Sequence, residues 1–360
     1  MDSQTRLSHL ISEYNNAAEK YKEYVDHLVA TLGTLLFAGE IKCHAIVGRL
    51  KTRESLRGKI INGRKEYASL EEITDIAGVR ITTYFSSDVD KVANLIAPMF
   101  LIDEKNSIDR RQTIDSDRFG YLSLHYIVRP NPTIDSDSQF DHLPAEIQVR
   151  SILQHAWAEI EHDLGYKVPS GIPRTIRRKF SLAAGLLELA DHQFDEIRLE
   201  VDEYRKDLPT AIHKQANVVA INVHSLHHLI EHDAPISALD LRISRLVGGS
   251  LSGTFSVSRL LKMLQIIDIN TVGDLLENIG REQTKIIAFT TEWFANSNSA
   301  DVVALNKGIS ILFLFYTKIS AGLDASRVIA SLHDAGVSDR LVSETSRRVL
   351  EAAKGLDVSH

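Results

Sequence analysis

The chain has 360 residues, 44% hydrophobic and 25% charged, which is enough for two domains of ordinary size, each with its own core. Its 41 Lys and Arg stand against 48 Asp and Glu, and the formal net charge of -7 excludes a generally basic nucleic-acid coat while leaving room for local basic patches. The single Cys43 excludes an intramolecular disulfide, and the opening MDSQTRLSHL has neither an apolar core nor a cleavage site, so the expected compartment is a reducing cytoplasm.

In chain order, Leu7 to Leu36 carries apolar residues at helical spacing, and 35–53 is expected to continue as a second helix. Short β-rich runs follow: GVRITTYF at 78–85, MFLIDE at 99–104, YLSLHYIV at 121–128 and LPAEIQVR at 143–150. Helical patterns separate or follow them at 87–97, 152–162 and 173–206, and NPTIDSDSQFDH at 131–142 has the composition of a surface loop. Strands mixed with helices predict an α/β (α+β) domain with a mixed sheet flanked by helices. Beyond Pro209 the patterns are helical, at 256–267, 271–279, 301–319 and 325–333, which predicts a mostly α-helical second domain. Residues 1–210 hold 27 basic and 33 acidic side chains, whereas 211–360 hold 14 and 15, and this fall in charge density places the domain boundary near Pro209, giving 1–210 and 211–360. The most apolar run, ISILFLFY at 309–316, is far shorter than the roughly 20 residues that span a bilayer, so it reads as a buried core segment and no membrane association is expected.

Three polar sets lie in or beside the short strands. In GRLKTRESLRGK at 48–59, Arg49, Lys51, Arg53, Arg57 and Lys59 crowd five cations together, with Arg49, Arg53 and Arg57 at i, i+4, i+8. Such a cluster suits a polyanion, or is simply a solvated helix face. Asp75 in TDIAGVRI precedes a strand bearing Arg80, and it suits either a magnesium ion completed by substrate phosphates or the cap of a turn. In AEIQVR, Glu146, Gln148 and Arg150 alternate with Ile147 and Val149, so a carboxylate, an amide and a guanidinium share one face. Between these sets, FGYLSLHY offers Tyr121 as a flat ring for a base, beside Ser123 and His125. His155, Glu159 and His162 in QHAWAEIEHDLGYK form a weak metal pattern, and His224, His228 and His232 repeat at i, i+4, i+8 on what reads as an exposed helix face.

Taken together and in order, RLKTRESLRGK, TDIAGVRI, GYLSLHY and EIQVRSILQHAWAEIEHDLGYK resemble the synthetase domain of the RelA/SpoT alarmone enzymes, over about residues 21–200. The resemblance implies transfer of the β,γ-pyrophosphate of ATP to a nucleotide 3′-hydroxyl, usually of GDP or GTP, to give (p)ppGpp. It implies Mg²⁺ held by Asp75 and Glu146, with Glu146 also activating the hydroxyl. Arg49 and Arg80 would sandwich the adenine, Lys51, Arg53 and Lys59 would meet the ATP phosphates, Tyr121 would stack on the acceptor base, and His125, Gln148 and Arg150 would complete the pocket. Where such enzymes often carry basic residues around the Gly-Tyr step, this chain has Asp117, Arg118, Phe119 and then Leu122, which weakens the case for a free guanosine nucleotide. The resemblance therefore also admits the branch of toxins and antiphage effectors that pyrophosphorylate the 3′ end of tRNA under control of an added domain. The segment before the synthetase motifs is too short for a hydrolase domain, so no self-reversal is expected. A catalytically silent nucleotide-binding regulator is a third reading, against which the intact Asp75 and Glu146 speak. Residues 211–360 are expected to regulate the synthetase by docking on it or on a protein partner, or else to make a homo-oligomer.

Overall fold

The structure is a computed structural model, and it describes residues 3–63, 65–109, 123–134, 139–166, 173–295 and 304–357. The chain divides into two compact units, Met1–Glu200 and Val201–His360.

The first unit opens with α1 (Ser3–Ala38), which Glu40 closes in the left-handed conformation at φ 54°. Then follow β1 (Cys43–Leu50), α2 (Arg53–Asn62), a 3-10 turn at Leu70–Glu72, β2 (Ala77–Thr83), α3 (Ser87–Ile96), β3 (Phe100–Ile102) and β4 (Ile108–Asp109). The unit continues with β5 (Leu124–Pro130), β6 (Ala145–Ser151), α4 (Ile152–Tyr166) and the part to Glu200 of α5 (Arg174–Gln215), whose remainder is in the second unit. The strands form one mixed sheet in the order β1-β2-β6-β5-β3, with β4 also paired to β5. Only β2 and β6 run parallel; the other neighbours are antiparallel.

The expected helix over 35–53 is corrected: α1 stops at Ala38, 43–50 is a strand, and a helix resumes only at Arg53. The reason is pairing. Val47 and Arg49 lie opposite Arg80 and Gly78, while Ile46 and Leu50 turn toward the core, so tertiary hydrogen bonds override a local pattern that also fits a helix. Thr52 then starts α2, its hydroxyl accepting from the Ser55 backbone N–H at 3.2 Å. Arg49, Arg53 and Arg57 consequently do not share a helix face.

One sheet face packs on α1. Tyr21, Tyr24, Leu28 and Leu32 meet Val79, Ile81, Ile147 and Val149 in a buried core. Gly48 is required here, because a Cβ would stand 2.4 Å from Cγ1 of Val25 where α1 crosses β1. The other face, by alternation, presents the polar residues of β1, β2, β6 and β5.

In the second unit α6 (Val223–His232), α7 (Ala234–Leu246), α8 (Val257–Ile266), α9 (Val272–Ala295), α10 (Ile309–Ile319), α11 (Ala325–Asp334) and α12 (Asp339–Asp357) surround a separate core. The expectation of a mostly helical region holds, with a small addition: β7 (Ser250–Thr254) and β8 (Ala304–Lys307) pair in parallel, so the segment expected as one helix from 301 contains a strand before α10. ISILFLFY is buried along its whole length, and among the described residues no helix is long and apolar enough to cross a membrane. The buried Asp240 of α7 tethers the start of α10, accepting from the backbone N–H groups of Gly308 at 2.6 Å and Ser310 at 2.8 Å. Pro209 does not end a helix as expected; α5 runs through it to Gln215. Within that helix the proline lacks one backbone donor and crowds the preceding turn.

Candidate active site

The polar sheet face gathers residues from four strands in register. Arg49 of β1 lies opposite Gly78 of β2, Gly78 opposite Glu146 of β6, and Gln148 is flanked by Arg80 on one side and His125 of β5 on the other. Arg49, Gly78, Arg80, Glu146 and Gln148 line one cavity. Gly78 leaves the space that the Arg49 side chain covers, since a Cβ there would touch Arg49 Cγ at 3.5 Å. Asp75 sits in the turn just before β2, and the Lys51 N–H donates to Ile76 O at 2.8 Å, which fixes the cation-bearing segment beside it.

Asp75 is clasped by two lysines: Lys51 Nζ lies 2.8 Å from Oδ2 and Lys59 Nζ 2.8 Å from Oδ1. Burial pushes the Asp75 carboxyl up, but the hydrogen bonds and charges of Lys51 and Lys59 outweigh it, leaving the pKa below the ordinary value. Glu146 follows the same balance. Burial raises it, and the bonds from His125 and Gln148 more than compensate, against the opposing negative charge of Asp75. His125 Nδ1 is 2.9 Å from Glu146 Oε1, while Arg150 donates toward His125 Nε2 at 3.2 Å. An arginine donates only, so Nε2 must accept and the proton resides on Nδ1, where it is directed at Glu146. Gln148 Nε2 donates to the other Glu146 oxygen at 2.7 Å. Both carboxylates are thus held ionised at neutral pH.

Of the residues singled out in the sequence, Asp75, Lys51 and Lys59 form one cluster and Glu146, His125, Gln148 and Arg150 another, with Arg49 and Arg80 beside the second. Arg53 and Arg57 are exposed on α2. Tyr121, with Asp117, Arg118, Phe119 and Leu122, lies outside the described residues. His155, Glu159 and His162, only a weak metal pattern in the sequence, make other contacts: among the described residues no group of three or more His, Cys, Asp or Glu is placed to hold a metal. Instead Glu159 Oε1 accepts from Arg80 at 2.7 Å, and His155 Nδ1 lies 3.5 Å from the same guanidinium nitrogen. Desolvation and the adjacent Arg80 charge hold the His155 pKa below its ordinary value. The role of α4 in holding Arg80 is the functional feature that the sequence reading missed; its only trace was the i, i+4 spacing of His155 and Glu159 directly after the polar strand. In the second unit His224 accepts from Arg205 at 3.2 Å, and the rings of His228 and His232 lie 5.0 Å apart.

Two hard-oxygen carboxylates, a set of cations and a cavity lined by two arginines form a site suited to a phosphorylated, planar ligand. The protein family defined by the region found in RelA / SpoT proteins matches residues 48–170, which contain every residue of this site. GTP pyrophosphokinase YjbM of Bacillus subtilis is 31% identical over 160 residues, covering 44% of this chain and 73% of that protein. GTP pyrophosphokinase YwaC of the same organism is 28% identical over 204 residues, covering 54% and 95%. The chain belongs to the RelA/SpoT family. Among solved structures, small alarmone synthetase 1 of Bacillus subtilis superposes with a TM-score of 0.45 at 26% identity, covering 53% of this chain and 99% of that one. Small alarmone synthetase 2 gives 0.44 at 28%, covering 52% and 99%.

Proposed function

We propose that the first unit transfers the β,γ-pyrophosphoryl group of ATP to the 3′-hydroxyl of a guanosine nucleotide, GDP or GTP, yielding ppGpp or pppGpp and AMP. The observation that carries this reading is the pair of partly buried carboxylates, Asp75 and Glu146, both held ionised beside the cations of 49–59 in a member of this family. Two relatives named GTP pyrophosphokinases support the choice of acceptor.

In this reading the 3′-oxygen attacks the β-phosphorus of ATP, the bond from that phosphorus to the oxygen of AMP breaks, and the hydroxyl proton passes to Glu146. His125 and Gln148 keep the Glu146 carboxylate turned toward the acceptor. Arg49 and Arg80 hold the adenine between planar guanidinium groups, which a lysine ammonium cannot replace. Lys51 and Lys59 exchange Asp75 for the ATP phosphates, Arg53 adds a third cation, and Tyr121, Gln148 and Arg150 bind the acceptor. Asp75 and Glu146 fit a magnesium ion: their oxygens are hard donors, both are ionised, and Glu146 feels the negative charge of Asp75. When bound, Mg²⁺ neutralises phosphate charge. The second unit carries no comparable set of carboxylates and cations among its described residues, and we assign it to regulation of the first.

Incubating the protein and Mg²⁺ with γ-labelled ATP and, in separate reactions, GDP, GTP or bulk tRNA tests the assignment. Label in the guanosine nucleotide with matching AMP release is expected. Label only in tRNA overturns the acceptor, and label in none of them overturns the activity.

A further inference from the structure

Beside the carboxylate assigned to the acceptor hydroxyl stands a side chain whose hydrogen bonding is half complete. Gln148 lies on β6 between Arg80 of β2 and His125 of β5, and it is only 8% exposed. The orientation of its amide is fixed by Glu146. An ionised carboxylate accepts only, so the amide must present Nε2 to Glu146 Oε2, at 2.7 Å, and its own oxygen faces away from Glu146, where it can only accept. That oxygen, Oε1, is buried and has no hydrogen-bond partner among the described residues. An unpaired buried acceptor is costly, which calls for a donor from outside the chain. Gln148 and Glu146 line the same cavity, so a substrate can supply it.

The chemistry of the acceptor nucleotide narrows the choice of donor. Its phosphates only accept. Its 3′-hydroxyl gives its proton to Glu146 in the reading proposed above, and the N–H groups of its base stand across the sugar from that hydroxyl. What remains is the 2′-hydroxyl, one carbon away from the reacting oxygen. Gln148 is two residues from Glu146 on the same strand face and is bonded to it, so the second hydroxyl of a ribose falls to Gln148 when the first meets Glu146.

We propose that Gln148 Oε1 accepts a hydrogen bond from the 2′-hydroxyl of the acceptor, so that the enzyme selects a ribonucleotide over a 2′-deoxyribonucleotide. This rests on the assignment of Glu146 to the 3′-hydroxyl of a guanosine nucleotide, and it adds a determinant of specificity to that assignment.

The test compares kcat/KM for GDP and 2′-deoxy-GDP, with saturating ATP and Mg²⁺, in the wild type and in Gln148→Met, which keeps the length of the side chain and lacks both polar atoms. The wild type is expected to favour GDP by about tenfold or more. The variant is expected to be slower with both, since Glu146 loses a bond, and to use the two about equally. A preference that persists in the variant would mean that Gln148 only orients Glu146, and overturns the proposal. A second measurement needs no variant: 3′-deoxy-GDP keeps the 2′-hydroxyl and cannot react, and it is expected to inhibit the wild type at about one tenth the concentration of 2′,3′-dideoxy-GDP. Equal inhibition overturns the proposal, as does a preference for ATP over 2′-deoxy-ATP with none between the two acceptors, which would move the contact to the donor. Equal turnover of GDP and 2′-deoxy-GDP by the wild type removes this inference and leaves the proposed activity standing, whereas transfer to neither removes both.

Discussion

Arg80 shows how a single contact settles the geometry of a binding face. A free arginine side chain samples many rotamers, and stacking it on a base costs that freedom. Glu159 has already fixed the guanidinium at 2.7 Å before any ligand arrives. Glu159→Ala is therefore expected to raise KM for ATP about tenfold, the worth of a charge-assisted hydrogen bond, while leaving KM for the acceptor unchanged. Initial-rate kinetics with each substrate varied check this, and an unchanged KM for ATP would refute it. The carboxylates set the acid limit. Asp75 and Glu146 both have folded pKa values below their ordinary 3.8 and 4.5, so the stability they contribute is complete above those values and is lost as pH falls through the depressed ones. Urea midpoints of the wild type should therefore begin to fall as pH drops below 4.5 and keep falling below 3.8, and fall less in Asp75→Asn. The shared face of Glu146, Gln148 and Arg150 was legible in the sequence because a period of two puts polar groups on one side of a strand whose other side is apolar. Glu159 as the partner of Arg80 was not, because the two lie 79 residues apart in the chain and only the packing of α4 over β2 joins them.

At the scale of elements, the buried tether between α7 and α10 carries more than its size suggests. Asp240 uses one oxygen for Gly308 N–H and the other for Ser310 N–H, so two donors at the start of a mostly buried helix depend on one side chain. Asparagine has a single acceptor oxygen and would turn its amide N–H toward the remaining donor. Asp240→Asn is expected to destabilise the second unit by about 2–3 kcal/mol, measured by thermal or urea unfolding; a change within error would show that the tether is dispensable. Gly308, at φ 87°, supports the same junction, because a Cβ there would also meet Leu260 at 2.9 Å. Helices such as α3 and α8 were legible from their apolar spacing. The strand β1 was not, since CHAIVGRL contains few residues that distinguish a strand from a helix and its partner β2 lies some 30 residues on. Pro209 misled for the opposite reason: a strong local signal was overridden by the length of α5.

Among the described residues there are two hydrophobic cores with no shared member, one built on α1 and the mixed sheet and the other on α6 to α12. Two cores allow two unfolding steps. A non-hydrolysable ATP analogue at about 100 times its Kd is expected to stabilise only the first unit, by about 2.7 kcal/mol, so calorimetry of the full chain should show one transition move upward while the other stays. Movement of both would mean that the units unfold together. The composition shift points to a boundary near Pro209, and the compact units divide at Glu200, inside a continuous helix. The sheet alternation that builds the site also limits how this chain can change in length. Deleting one residue between Leu143 and Glu146 would turn Glu146, Gln148 and Arg150 into the apolar core and bring Ile147 and Val149 out, erasing the chemistry without altering any of those side chains. Removing two would keep the faces but slide each group about 7 Å along the strand, away from Arg80 and His125. Point substitutions can alter this site one group at a time, whereas gaps in the strands that carry it act on every group at once.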